Sequence, residues 1–140
     1  MVQLIVGEKG KGKTKHLLDK VNGAVKTASG NIVYLDKNSK HMYELKNAIR
    51  LIDTSEYPIT NTDEFIGFIC GIVSQDHDIE EMYLDSFRIV GFIDDDNNIE
   101  PVLDKLTKIS DQFKVNFTIS MSVDESNVPE AYKSNIIVSL

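Results

Sequence analysis

The feature that most constrains the fold is residues 7–14, GEKGKGKT, which read Gly-x-x-x-x-Gly-Lys-Thr. Glycines at this spacing let successive backbone N–H groups turn inward around an anion, where a Cβ would collide. A helix that begins directly after the loop adds its N-terminal dipole and its unpaired N–H groups. Lys13 can then reach the β- and γ-phosphates of a nucleotide, and the Thr14 hydroxyl can ligate the accompanying Mg²⁺. The octet therefore predicts nucleotide binding.

The sequence on either side of the octet supports this interpretation. The apolar run Val2–Val6 is typical of a buried parallel strand. Apolar residues after the octet recur on one face of a helix, which we expect to end near Gly30. These residues are Leu17, Leu18, Val21, Ala24 and Val25. In this strand–loop–helix context the chain resembles the P-loop NTPase superfamily, because it matches the Walker A motif at every fixed position.

The resemblance implies that the whole loop contacts ATP and Mg²⁺. The loop residues it assigns to nucleotide binding are Gly7, Glu8, Lys9, Gly10, Lys11, Gly12, Lys13, Thr14 and Lys15. Lys13 also has a catalytic role in this assignment, since it would neutralise phosphate charge. ATP is the expected nucleotide because the chain lacks the Asn-Lys-x-Asp loop that usually recognises guanine.

Composition limits the other possibilities. The 140 residues are expected to form one domain, residues 1–140, with no room for a lid or a DNA-binding appendage. The net charge is −7, and basic residues concentrate in and beside the octet, so nucleic acid is not an expected partner. No run approaches 18 apolar residues, so a membrane is not expected either. Cys70 is the only cysteine, which excludes an internal disulfide and favours a cytoplasmic location.

Three carboxylates follow apolar runs and compete for the metal-binding place that the superfamily calls Walker B. They are Asp36 after Asn31–Leu35, Asp85 after Glu81–Leu84, and Asp94 after Phe92-Ile93. The position of Asp85 along the chain resembles the family's usual spacing, so Asp85 is the predicted metal ligand. Many RecA-like members carry a catalytic Glu directly after this Asp, and here Ser86 stands in that place. Asp36 is the candidate replacement, because some members keep their base at the tip of the second strand.

Further elements follow from periodicity and capping residues. Ser39 is expected to cap a helix whose apolar face includes Met42, Leu45, Ala48 and Ile49. Asn61 and Glu64 form a capping box for an apolar helix, Phe65 to Val73. In that helix Gly67 and Gly71 are expected to approach the sheet closely, and Cys70 to lie in the core. The remaining predictions are a strand at Arg50–Asp53, a solvated loop at Asp94–Asn98, a helix from Ile99 to Lys114 with Phe113 on its apolar face, and strands at Val115–Ser122 and Ile136–Val138.

Alternation of strands and helices predicts an α/β fold, a three-layer sandwich with a mostly parallel sheet. In the RecA-like group of P-loop proteins, a strand lies between the P-loop strand and the Walker B strand. Val115–Ser122 resembles that inserted strand, and the resemblance places Ser120 or Ser122 where a polar residue senses the γ-phosphate. Residues 32–53 are also similar to the same region of secretion and pilus-retraction ATPases.

Three functions are consistent with these features. The first is a slow ATPase completed by a homo-oligomer or an unknown protein partner, with Arg88 as a candidate catalytic arginine near the sheet edge. The second is a nucleotide-binding switch or adaptor with little turnover, which the absence of a Glu after Asp85 favours. The third is a small-molecule kinase, which the short chain disfavours because it leaves no room for a lid.

Overall fold

The computed structural model describes residues 1–140 and contains one six-stranded sheet. The strands are β1 (Val2–Gly7), β2 (Asn31–Asp36), β3 (Ile49–Asp53), β4 (Ile79–Leu84), β5 (Asn116–Ser122) and β6 (Ile136–Ser139). Their order across the sheet is β3-β2-β4-β5-β1-β6, and every neighbouring pair is parallel. The carboxyl ends of all six strands therefore meet at one edge of the sheet, where α/β proteins bind ligands.

Helices cover both faces of this sheet. They are α1 (Lys13–Ala24), α2 (Thr62–Gln75), the four-residue α3 (Phe87–Val90) and α4 (Ile99–Phe113). A core of 26 residues lies between the sheet and α2, α3 and α4, and a smaller core of 9 residues lies under α1. The predicted three-layer α/β sandwich is confirmed, with most of its apolar burial on the face opposite α1.

The packing of the two faces of β5 explains why polar and apolar residues alternate along it. Phe117, Ile119 and Met121 enter the larger core, so Thr118 and Ser120 face the side of α1. Both polar residues are buried, at 3% and 1% exposure. β5 lies between β1 and β4, which is the inserted position predicted for a RecA-like sheet.

The predicted helix after Ser39 is wrong. Only a single 3₁₀ turn, Met42–Glu44, forms there, and Ile49 begins β3 by pairing with Ile32 of β2. The connecting backbone is fixed by α1 instead, because the side chain of Asn22 bonds both Glu44 O at 2.8 Å and Lys46 N at 3.0 Å. Tertiary contacts therefore override the helical spacing of the apolar residues.

Two glycines of α2 lie on the opposite face from the one predicted. The helix buries Phe65, Ile69 and Val73, whereas Gly67 and Gly71 are exposed and a Cβ at either would meet nothing within 4 Å. Cys70 shares their exposed face, so its predicted core position is also wrong. The predicted cap is confirmed in part: Asn61 accepts from Glu64 N at 2.9 Å, but Glu64 reaches back to Thr60 rather than to Asn61.

Two smaller differences concern helix ends. Helix α1 ends at Ala24, and Gly30 serves close packing, since a Cβ there would lie 2.4 Å from the carbonyl oxygen of Asp78. Phe113 is 44% exposed rather than part of the core, because it is the last residue of α4 before Lys114 turns into the left-handed region at φ 58°.

None of the helices has the length and apolar character needed to cross a membrane.

Candidate functional site

The glycine-rich loop leaves β1 at the carboxyl edge of the sheet and enters α1. Gly10 and Gly12 have φ of 86° and 92°, in the left-handed region where a Cβ is disfavoured. Gly12 is also the residue that caps α1, and no side chain bonds the first N–H groups of this helix. The loop therefore presents a helix N-terminus with unpaired donors, which is a ready site for an anion.

Lys13 is the first residue of α1 and folds back over the loop. Its Nζ donates to the carbonyl oxygen of Glu8 at 3.0 Å, and the residue is only 9% exposed. Burial lowers the pKa of Lys13, and the nearby charge of Asp85 partly opposes that shift. An ammonium group held in this way can exchange its carbonyl partner for a phosphate oxygen, because a charged acceptor forms the stronger hydrogen bond.

Asp85 follows β4 directly, and four donors hold its buried carboxylate. Oδ1 accepts from Thr14 Oγ1 at 3.2 Å, Ser120 Oγ at 2.7 Å and the backbone N–H of Ser86 at 2.8 Å. Oδ2 accepts from the phenol of Tyr34 at 2.7 Å. The Thr14–Asp85 contact joins a hydroxyl and a carboxylate, the oxygen ligands that Mg²⁺ prefers, so these residues fit the predicted metal.

The two rival carboxylates lie elsewhere. Asp94 is exposed in the loop before α4, and Phe92-Ile93 before it is not a strand. Asp36 is 2% exposed at the end of β2, and its Oδ1 accepts from the backbone N–H of Lys37 at 2.7 Å. Burial, and then the charge of Asp85, raise the pKa of Asp36 to about 6. Of the three candidates, Asp85 alone bonds the hydroxyl of Thr14.

A cavity of about 390 Å³ opens between the loop and the ends of β2, β4 and β5. It is lined by Lys9, Gly10, Gly12, Lys13, Thr14, Lys37, Asp85, Ser86, Arg88, Ile89, Ser120 and Ser122. The predicted site residues Gly7, Glu8, Lys11, Lys15 and Asp36 are not among them. Four cationic side chains and a single carboxylate thus surround one cavity in a chain whose net charge is −7.

Ser120 and Ser122 differ in what they can reach. The Ser120 hydroxyl donates to Asp85 and accepts from the backbone N–H of Ser86 at 3.0 Å, so its bonds orient the carboxylate. Ser122 is exposed at the end of β5, paired in register with Gly7. Of the two serines considered for sensing the terminal phosphate, Ser122 has the free hydroxyl at the strand tip.

Arg88 lies at the wall of the cavity with its guanidinium already engaged. It donates to the carbonyl oxygens of Ile93 at 3.0 Å, Asp94 at 3.0 Å and Ser122 at 3.3 Å, and to the carboxylate of Asp96 at 2.7 Å. These bonds tie the loop before α4 to the end of β5. A catalytic role for Arg88 remains a prediction, and it requires the guanidinium to leave several of these partners.

Sequence reasoning missed Lys37, Ser86 and Ile89 as residues of the cavity. Lys37 had one available signal, because it follows directly after a strand that ends at the ligand-binding edge. Ser86 has φ 53°, a conformation that non-glycine residues adopt rarely and that recurs at functional sites. Ile89 gave no signal, since its place depends on the short α3 that follows Asp85.

Comparison with solved structures identifies the fold. FlaH, a flagellar accessory protein from Methanocaldococcus jannaschii, matches with a TM-score of 0.58 over 93% of this chain and 63% of FlaH. The chain has a RecA-like fold. At 12% identity the likeness concerns the fold alone, and the chain spans less than two thirds of the length of FlaH. No protein-family model and no curated protein sequence matches the chain.

Proposed function

We propose that this RecA-like chain binds ATP–Mg²⁺ through its glycine-rich loop and hydrolyses it slowly, with a second subunit or another protein completing the site. The observation that carries the proposal is the cavity between the loop and Asp85. Lys9, Lys13, Lys37 and Arg88 line it at the N-terminus of α1, where a polyanion is favoured by side-chain charge and by the helix together.

The hydroxyl of Thr14 and the carboxylate of Asp85 supply the magnesium ligands in this proposal. Their 3.2 Å contact lies next to the loop, so a metal held there would be adjacent to the β- and γ-phosphates. Bound Mg²⁺ would neutralise phosphate charge. Ser120 and Tyr34 hold the carboxylate in the orientation that faces Thr14.

Two features support a role for a further subunit or partner. Ser86 has no carboxylate to orient a water molecule, and Arg88 is engaged by the loop before α4. Ile89 lines the cavity and is 57% exposed, and Phe92, three residues further along the chain, is 43% exposed. Exposed apolar groups next to an incomplete site favour a neighbouring protein surface there.

A nucleotide-dependent switch with little turnover is the second candidate. It is favoured by the position of Asp36, because the one substitute base is buried and does not line the cavity. In this case the bound nucleotide would bias the residues around Ser86 and α3, and a partner would read that state.

Thermal unfolding with and without ATP–Mg²⁺ tests the binding proposal. A ligand that binds the native state alone stabilises it by about 2.7 kcal/mol at a hundredfold excess over Kd. Lys13→Ala should lose most of that gain, whereas Lys26→Ala, an exposed lysine beyond α1, should keep it. If millimolar ATP–Mg²⁺ leaves the melting temperature of the wild-type protein unchanged, the proposal is wrong.

Specific activity against protein concentration separates the two candidates. A slow rate that rises with concentration, or on addition of a partner, supports an assembled ATPase. Binding with no turnover at any concentration supports the switch. A fast rate that is independent of concentration would mean that the monomer is already a complete ATPase.

A further inference from the structure

The cations around the cavity differ in whether they have partners. Lys13 donates to Glu8 O, and Arg88 donates to three carbonyl oxygens and Asp96. The ammonium group of Lys37 takes part in no hydrogen bond and in none of the five ion pairs of the chain. Lys9 is also without a partner, but it belongs to the loop itself. Lys37 is therefore the unpaired cation that another element brings to the cavity.

The strand order sets where Lys37 stands. It directly follows β2, and the order β2-β4-β5-β1 places it on the far side of β4 and β5 from the glycine-rich loop. Three inter-strand steps separate β2 from β1, which is about 14 Å at the usual strand spacing. Side chains that reach inward from Lys13 and Lys37 approach the space above β4 and β5 from its two ends.

The terminal phosphate is the part of a nucleotide expected in that space. In the proposed function the loop would hold the β-phosphate, and the Thr14–Asp85 pair that would hold the metal lies toward β4. A phosphate chain that follows this direction points its γ end away from the loop and toward the end of β2. A diphosphate bound in the same position would lack the group at that end.

The backbone of Lys37 is fixed while its side chain is free. The N–H of Lys37 donates to Oδ1 of the buried Asp36 at 2.7 Å, and the carbonyl of Asp36 accepts from Thr54 Oγ1 at 3.2 Å. The second of these bonds anchors the end of β2 to the residue that follows β3. An exposed lysine on an anchored strand end can place its ammonium group at a defined distance from the sheet edge.

From this geometry we propose that Lys37 contacts the γ-phosphate and makes the site prefer a nucleoside triphosphate over a diphosphate. This inference rests on the proposed function, because it concerns the same cavity. It assigns to a lysine of the same chain a part of the charge neutralisation that the sequence suggested for Arg88. A contact to the transferred phosphate also makes Lys37 a catalytic residue wherever hydrolysis occurs.

Equilibrium binding of ATP–Mg²⁺ and ADP–Mg²⁺ tests the proposal without requiring turnover. Lys37→Ala should weaken ATP binding about tenfold, which corresponds to a charge-assisted hydrogen bond, and leave ADP binding unchanged. Lys40→Ala is the matched control, since Lys40 is an exposed lysine of the same loop outside the cavity. It removes the same charge and should alter neither affinity.

The outcomes distinguish a specific contact between Lys37 and the γ-phosphate from a general electrostatic attraction between the protein and the nucleotide. Equal weakening of ATP and ADP binding in Lys37→Ala, or no change in either, overturns the inference. The same loss of ATP affinity in Lys40→Ala also overturns it, because long-range charge would then suffice. If the wild-type protein binds neither nucleotide, the proposed function itself fails, and this result is distinct from binding with an unchanged ATP-to-ADP ratio.

Discussion

The phenol of Tyr34 donates a 2.7 Å hydrogen bond to Oδ2 of Asp85, and both side chains are buried. Tyr34 lies on β2 and Asp85 ends β4, so the bond crosses from one strand to the next behind the candidate metal site. The ring of Tyr34 stacks on Tyr83, with centroids 6.4 Å apart and planes inclined by 15°. Burial, and then the charge of Asp85, raise the pKa of Tyr34, so the phenol keeps the proton that it donates.

Removing the Tyr34 hydroxyl should destabilise the fold while leaving the ring packed. Tyr34→Phe strips one donor from a buried carboxylate, and an unsatisfied buried acceptor costs about 1–3 kcal/mol. Urea unfolding of wild type and variant measures the difference. Tyr43→Phe is the control, because Tyr43 is 92% exposed and should show no change. Equal stability of wild type and Tyr34→Phe would contradict this account of the bond.

The metal dependence of nucleotide binding should reside at Asp85. Asp85→Asn removes the charge beside Thr14, so added Mg²⁺ should strengthen ATP binding much less than in the wild-type protein. Asp94→Asn is the matched control, since Asp94 is the exposed rival carboxylate. Titrations of ATP with and without Mg²⁺ provide the measurement. If the effect of Mg²⁺ on ATP binding were lost in Asp94→Asn and kept in Asp85→Asn, the metal site would lie at Asp94 rather than at Asp85.

Asp36 should make stability depend on pH. Its pKa is raised to about 6 in the folded protein from an ordinary value of 3.8, so the folded state binds its proton more tightly than the unfolded state does. The free energy of unfolding should therefore fall as pH rises from about 4 to about 6. Above that window the ionised carboxylate costs the fold about 3 kcal/mol at most.

Asp36→Asn should remove this cost, because the amide oxygen can still accept from Lys37 N without carrying a charge. The variant should be more stable than the wild-type protein at pH 7, and the two should converge near pH 4. Denaturant unfolding across this pH range measures both curves. A variant that is less stable at pH 7 would show that the charged carboxylate is favourable where it lies.

The two arginines of the chain should differ in their contribution to stability. Arg88→Ala removes hydrogen bonds that join the loop before α4 to β5, and the loss should be about 2 kcal/mol. Arg50→Ala breaks an exposed 3.5 Å ion pair with Asp76, and the loss should be below about 1 kcal/mol. Unfolding of both variants makes the comparison. Equal losses would mean that the bonds of Arg88 do not brace the loop.

Some features were determined by the sequence alone, because short stretches encode them. The apolar run Asn31–Leu35 forms the strand that ends at Asp36, since an apolar run between a glycine turn and a carboxylate is a local signal. The cap at Asn61 formed for the same reason, as its bond spans only three residues. The alternation of these local elements was enough to predict an α/β fold with a parallel sheet.

Other features were decided only by tertiary structure. The spacing of Met42, Leu45 and Ile49 is typical of a helix, but Ile49 pairs with β2 and is part of the sheet. Helix α2 is apolar on several faces, so its sequence did not identify the buried one, and Cys70 lies on the exposed side. Lys37 became part of the cavity because β2 lies beside β4. Strand order joins residues distant in sequence through packing of whole elements, which no local pattern specifies.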